Sequence, residues 1–119
     1  MGFASTLPSM NIAPEEINTM DTNFDAMRNN AADAVSLLKS LANESRLMVM
    51  CVLTEGEISV GKLNQRIDLS QSALSQHLAI LRKQDLVKTR RESQTIYYSL
   101  SDNKAISLIN KLHDIFCAN

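Results

Sequence analysis

Residues 59–84 read SVGKLNQRI, DLS and QSALSQHLAILRKQ in succession, and this stretch decides the fold. It predicts two helices joined by a tight corner at residues 68–70. Ser59 is a candidate N-cap of the first helix and Ser70 of the second, because a serine hydroxyl can accept a hydrogen bond from an unsatisfied amide of the first turn. Two helices joined in this way form a helix–turn–helix.

The second helix of this stretch has one apolar and one polar face. Leu74, Leu78 and Leu81 are spaced at i, i+4 and i+7 and predict a buried stripe. The opposite face and its flanks carry small or polar side chains, namely Gln71, Ser72, Ser75, Gln76, Ala79 and Lys83. Glutamine can bond adenine through N6 and N7 together, serine can bond several base edges, and alanine permits close approach, so this face suits the DNA major groove. An ordinary amphipathic helix with a polar outside is the competing interpretation.

A basic hairpin follows the second helix directly. Residues 86–91 (LVKTRR) and 95–100 (TIYYSL) predict two short strands around a turn, because β-branched and aromatic residues dominate the second segment. Arg90 and Arg91 near the turn are expected to contact DNA phosphates. Residues 57–58 are expected to form a short extended piece that pairs with the hairpin. The alternating residues that share one face of the second strand are Ile96, Tyr98 and Leu100. A helix–turn–helix followed by such a hairpin is a winged helix.

Four segments of the chain resemble the ArsR/SmtB family of bacterial repressors. They are ANESRL at 42–47, LSQSALSQHLAILR at 69–82, DLV at 85–87 and TIYYSL at 95–100. The resemblance implies a mainly α-helical winged helix–turn–helix of order α-α-α-α-β-β-α, forming a homodimer through its first and last helices. The two-fold symmetry of such a dimer predicts binding to double-stranded operator DNA with an inverted repeat. The side chains predicted to contact this DNA are Ser70, Gln71, Ser72, Ser75, Gln76, His77, Lys83, Arg90 and Arg91. Of these, His77 sits beside the buried stripe and is expected either to pack within the protein or to contact a phosphate.

Helical periodicity extends to both sides of these segments. Residues 21–42 predict a long first helix capped by Asp21, and Asn43 is expected to cap a second helix from Glu44 to about Leu53 that is apolar on nearly all sides. Ser101 is the predicted cap of the last helix. Its apolar stripe consists of Ile106, Ile109, Leu112 and either Ile115 or Phe116. In so small a domain this stripe has little apolar surface of its own chain to cover. We therefore expect the first and last helices to pack against a second copy of the chain.

The length of 119 residues corresponds to one domain. We expect residues 1–20, with Pro8 and Pro14, to be a mobile tail and residues 21–119 to be the DNA-binding and dimerisation domain. No apolar run approaches the roughly 18 residues of a membrane span, and the N-terminus lacks the basic and apolar regions of a secretory signal. The sequence therefore predicts a cytoplasmic bacterial protein without membrane partners, associated with the nucleoid when bound to DNA.

Charge is distributed unevenly along the chain. The net charge is −1, which by itself does not favour nucleic acid. Residues 1–58, however, contain three basic against eight acidic residues, whereas residues 59–98 contain seven basic against three acidic ones. This asymmetry indicates one side that faces DNA and another that faces solvent.

Metal sites and catalytic sites are not indicated. Ser59 and Gly61 stand where metal-responsive members of the family carry cysteine ligands, and neither can replace a thiolate. The last helix offers His113, with Asp102 and Asp114 unsuitably spaced for a zinc site. No Ser–His–acid set or phosphate-binding glycine loop stands out. The sequence therefore predicts no metal, no cofactor and no enzymatic activity.

Cys51 and Cys117 admit two interpretations. Free cysteine is often simply buried, and a cytosolic pair is not presumed to form a structural disulfide. The ArsR branch that includes HlyU, BigR and SqrR responds to reactive sulfur or oxidants and carries cysteines in its second and last helices, so the resemblance implies a redox-sensing pair here. We expect a repressor or anti-silencer whose operator binding is switched by oxidation of this pair. The alternatives are a regulator of the same fold with structural cysteines and another inducer, and a winged helix that binds proteins.

Overall fold

The computed structural model describes the backbone of residues 14–117 and the side chains of residues 22–117. Five helices and three short strands follow in the order α1 (Pro14–Leu41), α2 (Glu44–Leu53), β1 (Ile58–Ser59), α3 (Val60–Arg66), α4 (Gln71–Lys83), β2 (Val87–Glu92), β3 (Thr95–Leu100) and α5 (Asn103–Cys117). This order confirms the predicted mainly α-helical winged helix–turn–helix. None of the helices described is both long enough and apolar enough to cross a bilayer.

The chain divides into two compact units between Val35 and Ser36. In the first unit, α1 begins at Pro14, so the prediction of a helix capped by Asp21 is wrong at its start. Proline fits the first turn of a helix because the amide it lacks would have no helical partner there. The predicted mobile tail falls partly on residues 1–13, which lie outside the described residues, and the division at residue 20 stays a prediction.

The second unit is built around one aliphatic core. The predicted leucine stripe of α4 is fully buried at the centre of this core. It packs with Met50 of α2 and Ile109 of α5. Full burial of one such side chain contributes about 1.5–3 kcal/mol relative to exposure, so these contacts fix α4 firmly by its apolar face. The other buried apolar residues of this unit are Leu41, Val49, Val52, Leu53, Leu63, Ile67, Leu86, Val87 and Ala105.

The three strands form one antiparallel sheet in the order β1-β3-β2. The hairpin of β2 and β3, which we call the wing, turns through Ser93 and Gln94, with Glu92 opposite Thr95. Strand β1 pairs with β3, placing Ile58 opposite Tyr98, which confirms the predicted pairing of this piece with the wing. Tyr98 and Leu100 pack on the core, as their alternation predicted.

Three of the predicted helix caps are confirmed. The side chains of Asn43, Ser59 and Ser70 each accept a backbone N–H from the first turn of α2, α3 and α4 respectively. The prediction for Ser101 is wrong, because Asp102 accepts the amides of residues 104 and 105 at 2.7 and 3.2 Å. Ser101 instead donates its hydroxyl to the Asp85 carbonyl at 2.8 Å, which ties the end of β3 to the end of α4.

The end of α4 is a Schellman motif formed around Asp85. The amide of Asp85 donates to the Arg82 carbonyl, and the amide of Leu86 donates to the Leu81 carbonyl, both at 3.0 Å. Asp85 has a φ of 59°, in the left-handed region that this motif requires. Because Leu81 and Leu86 are both buried, the motif fixes the direction in which the chain leaves α4 and enters the wing.

Candidate nucleic-acid interface and cysteine pair

The polar face of α4 is presented to solvent because its apolar face is buried. The corner before α4 is braced by Asn64, whose Nδ2 donates to the Leu69 carbonyl at 2.9 Å. At the other end of the helix, Gln84 accepts the Ser36 hydroxyl at 3.0 Å. The predicted DNA contacts that are exposed on and beside α4 are Ser70, Gln71, Ser72, Ser75, Gln76 and Lys83. The first five form a polar surface over the N-terminal half of the helix, and the exposed Ala79 and Ile80 separate it from Lys83. A helix with such a surface can enter a major groove.

His77 is placed differently from the other predicted contacts. Its ring is half-buried, and its Nδ1 lies 3.3 Å from Nη1 of Arg46. A guanidinium can only donate, so Nδ1 accepts this hydrogen bond. Arg46 also donates through Nε to the Ser40 carbonyl at 2.6 Å. Through Arg46 of α2, His77 thus joins α4 to the end of α1 and is held by the protein itself.

A groove of about 340 Å³ lies beside the N-terminus of α4. It is lined by Val60, Gly61, Asn64, Gln65 and Gln71. Gly61 and Gln65 were not predicted as binding residues, although the adjacent polar side chains of Asn64 and Gln65 in the first helix of a helix–turn–helix are a usable signal. A Cβ atom at Gly61 would meet nothing within 4 Å, so packing in the protein alone does not require this glycine. The groove offers amide side chains to a DNA backbone that crosses α3.

The two predicted wing arginines differ in their surroundings. Arg90 is bound to the carboxylate of Glu57 at 2.8 Å, and this side-chain hydrogen bond lowers the pKa of Glu57 below its ordinary value. Arg91 is exposed and has no ion-pair partner among the residues that the structure describes. A second bidentate pair joins Arg66 to Glu55 at 2.6 and 3.1 Å. Within residues 59–98, the basic side chains without such a partner among the described residues are Lys62, Arg82, Lys83, Lys88 and Arg91.

The two cysteines come from helices far apart in sequence. Cys51 lies half-buried in α2, and Cys117 is exposed at the end of α5. Burial raises the pKa of the Cys51 thiol, and the charge of Cys117 raises this pKa further. This effect of one cysteine on the pKa of the other places the two sulfurs within electrostatic range. Neither cysteine is in a disulfide.

A cavity of about 330 Å³ opens beside Cys51. Its lining residues come from α2, from the turn that follows it and from α5, and they are Cys51, Thr54, Glu55, Ile109, Asn110, His113 and Asp114. The cavity is large enough for a small sulfur compound to reach the Cys51 thiol. In the described part of the chain, no three His, Cys, Asp or Glu side chains are placed to hold a metal ion.

Comparisons with known proteins agree with this geometry. Residues 43–89 match the family described as bacterial regulatory protein, arsR family. The chain is similar to the transcriptional activator HlyU of Vibrio cholerae, with 52% identity covering 80% of this chain and 88% of that protein. It is also similar to the biofilm growth-associated repressor of Agrobacterium fabrum, with 47% identity covering 78% and 80% respectively. The crystal structure of the repressor BigR from Xylella fastidiosa covers 80% of this chain and 97% of its own, with 45% identity and a TM-score of 0.76.

Proposed function

Because the chain belongs to the ArsR family of bacterial regulatory proteins, we propose that it binds an inverted-repeat operator as a homodimer and releases it when Cys51 and Cys117 are oxidised. The chain is a transcriptional regulator of the HlyU and BigR type and not an enzyme, and regulators of this family bind DNA and are typically dimeric. The observation that carries the proposed switch is the cavity where Cys51 of α2 meets His113 and Asp114 of α5, one turn before Cys117, with the two sulfurs in electrostatic range.

We assign base recognition to the N-terminal half of α4. Gln76 is exposed near the middle of the helix, while Leu74 and Leu78 on either side of it are buried and hold the backbone in place. A glutamine fixed in this way can form the paired bonds to adenine that discriminate between bases. Lys83 lies two turns further along and, as a mobile point charge, is assigned to the phosphate backbone.

Replacing Gln76 with alanine is expected to relax sequence specificity at one base position by roughly 1–3 kcal/mol. The matched variant Lys83→Ala should weaken binding to all sequences alike and lower the slope of log affinity against log salt concentration by about one. Binding of both variants to an operator series with single-base changes, measured at several salt concentrations, tests the assignment. The assignment is reversed if Lys83→Ala changes base preference and Gln76→Ala does not.

A homodimer is supported by exposed apolar side chains on two helices. Ile115 and Phe116 near the end of α5 are 60% and 79% exposed. In the first unit, Phe24 and Met27 of α1 are also largely exposed. Solvated apolar surfaces of this kind mark interaction sites, and the partner that we assign to them is a second copy of the chain.

Sedimentation at micromolar concentration is expected to give a mass twice that of one chain. Phe116→Glu should shift the protein toward the monomer, because a carboxylate buried between two copies would lack a partner. Ile80→Glu, at a residue 41% exposed on α4, is the matched control and should leave the dimer intact. A monomeric wild type, or a footprint that covers one isolated half-site, would refute the symmetric dimer.

The switch can be written as two substitutions at sulfur. Cys117 is the exposed thiol, and its thiolate attacks the outer sulfur of a low-molecular-weight persulfide RSSH, which releases RS⁻ and leaves a persulfide on Cys117. The Cys51 thiolate then attacks the Cys117 Sγ atom and expels HS⁻, which completes a disulfide. The two cysteines are oxidised, and the persulfide is reduced to a thiol and hydrogen sulfide. If Cys51 first receives a sulfur atom as well, the same closure gives a trisulfide.

Operator occupation can produce either direction of regulation. The names of the similar proteins include an activator and a repressor. A dimer on DNA represses if it excludes the polymerase, and it activates if it displaces a silencing protein. We propose that the chemistry of release is the same in both cases, because it depends on the cysteines and not on the position of the operator.

A further inference from the structure

One side-chain contact spans all three strands of the sheet. Arg90 of β2 and Glu57, which immediately precedes β1, lie on opposite sides of the central strand β3. Arg90 Nε and Nη2 donate to the two carboxylate oxygens of Glu57 at 3.1 and 2.8 Å. The guanidinium carbon lies 4.4 Å from the ring centroid of Tyr97, which is opposite Arg90 in β3. We call Arg90, Tyr97 and Glu57 the wing strap.

The wing strap leaves Arg90 little capacity to bind a second anion. Two of its nitrogens face Glu57, and the third, Nη1, lies 3.6 Å from the carboxylate of Glu92. A DNA phosphate would have to displace Glu57 or approach a guanidinium already flanked by two carboxylates. The hydrogen bond from Arg90 also lowers the pKa of Glu57, so this carboxylate stays ionised at neutral pH. The prediction that Arg90 contacts phosphate therefore conflicts with its surroundings.

The strap joins the wing to the beginning of the helix–turn–helix. Glu57 stands two residues before Ser59, which caps α3 and pairs with Tyr97. We propose that Arg90 is a positioning residue that sets the angle between the wing and the helix–turn–helix, and that the phosphate contact of the wing belongs to Arg91. This inference rests on the proposed operator binding.

The substitution Glu57→Gln distinguishes the two roles of Arg90 by the sign of its effect. It removes a negative charge near the DNA, so operator binding should strengthen if Arg90 binds phosphate. If Arg90 positions the wing, Glu57→Gln should instead weaken operator binding by about fivefold, the effect of losing a good surface ion pair. Arg90→Ala should weaken binding by a similar factor, and the double variant should be no weaker than either single variant, because all three lose the same contact.

A charge-reversed pair provides the rescue experiment. Arg90→Glu alone should lose operator affinity, and the addition of Glu57→Arg should restore most of it. Arg91→Ala is the matched control on the neighbouring residue and should lower the salt slope by about one, whereas Arg90→Ala should not. Stronger binding by Glu57→Gln, or a salt slope lowered by one in Arg90→Ala, would overturn the inference.

Hydrogen exchange of the protein without DNA tests the strap independently of the operator. Glu57→Gln should speed exchange of the wing amides while leaving those of α4 unchanged, because only the wing is released. Unchanged wing exchange would refute the strap even if operator binding were affected. A third outcome separates the strap from the proposed function. If Glu57→Gln speeds wing exchange but operator binding is unaltered in Glu57→Gln, Arg91→Ala and Gln76→Ala, the strap is retained and the proposed DNA-binding surface is refuted.

Discussion

Replacing Cys51 with serine is expected to abolish the release of operator DNA by persulfide while leaving the affinity of the untreated protein nearly unchanged. In the wild type, treatment with cysteine persulfide should weaken operator binding by about 5- to 150-fold, the usual range of coupling between two sites. The physical reason is that one thiol can acquire a persulfide but cannot close a bridge. Fluorescence anisotropy with labelled operator measures both values.

In the proposed mechanism, the bridge acts on DNA binding through the geometry of the dimer. It would link α2, in the core, to the end of α5, which we assign to the dimer interface. Two recognition helices must reach major grooves about 34–36 Å apart, or a multiple of that distance, so a shift of a few ångströms between the copies is sufficient for release. Reductant should restore binding, because a disulfide or polysulfide is returned to two thiols.

Two controls separate the bridge from other effects at the cavity. Cys117→Ser should behave as Cys51→Ser does, because either loss prevents closure. Thr54→Ser, which changes another residue lining the cavity, should leave the response intact. Release of DNA from the Cys51→Ser protein on persulfide treatment would support the alternative in which the cysteines are structural and another group senses the inducer.

Replacing Leu78 with alanine is expected to lower the free energy of unfolding by about 2–5 kcal/mol. Leu78 is 1% exposed, and it is the middle residue of the stripe that fixes α4 to the core. Its loss removes apolar contacts and leaves a cavity that the surrounding helices can fill only in part. Because domains are stable by only about 5–15 kcal/mol, this one change is a large fraction of the total.

The matched control for this prediction lies two residues away on the same helix. Ile80 is 41% exposed, so Ile80→Ala should lower the free energy of unfolding by less than about 1 kcal/mol. Urea denaturation of the dimer at one fixed protein concentration measures both variants. Equal losses in the two variants would show that the polar face of α4 is not the face presented to solvent, contrary to the proposed recognition surface.

Local patterns predicted much of the second unit. The caps Asn43, Ser59 and Ser70 and the buried stripe of α4 depend on residues within a turn or two of each other, and all were found where the sequence placed them. The error at the start of α5 has a long-range origin. Ser101 and Asp102 are both good caps, and the choice between them was made by a bond from Ser101 to Asp85, 16 residues away.

Long-range pairing escaped the sequence analysis. Arg90 and Glu57 are 33 residues apart, and Arg46 and His77 are 31 apart. No periodicity relates such positions, so Arg90 looked equivalent to Arg91, and the sequence left open whether His77 packs within the protein or contacts a phosphate. The cysteine pair was proposed only through the family resemblance, because 66 residues separate its members in the sequence.

The bridge between Cys51 and Cys117 is tested most directly by mass spectrometry of protein sorted by DNA binding. The reduced dimer is bound to immobilised operator and treated with cysteine persulfide, and the released and retained fractions are then analysed as intact chains and as peptides. The account predicts that released chains have lost the two thiol hydrogens and contain a peptide in which Cys51 is joined to Cys117, directly or through added sulfur, while retained chains have two free thiols. Released chains with both thiols free, or with a modification on one cysteine alone, would contradict it.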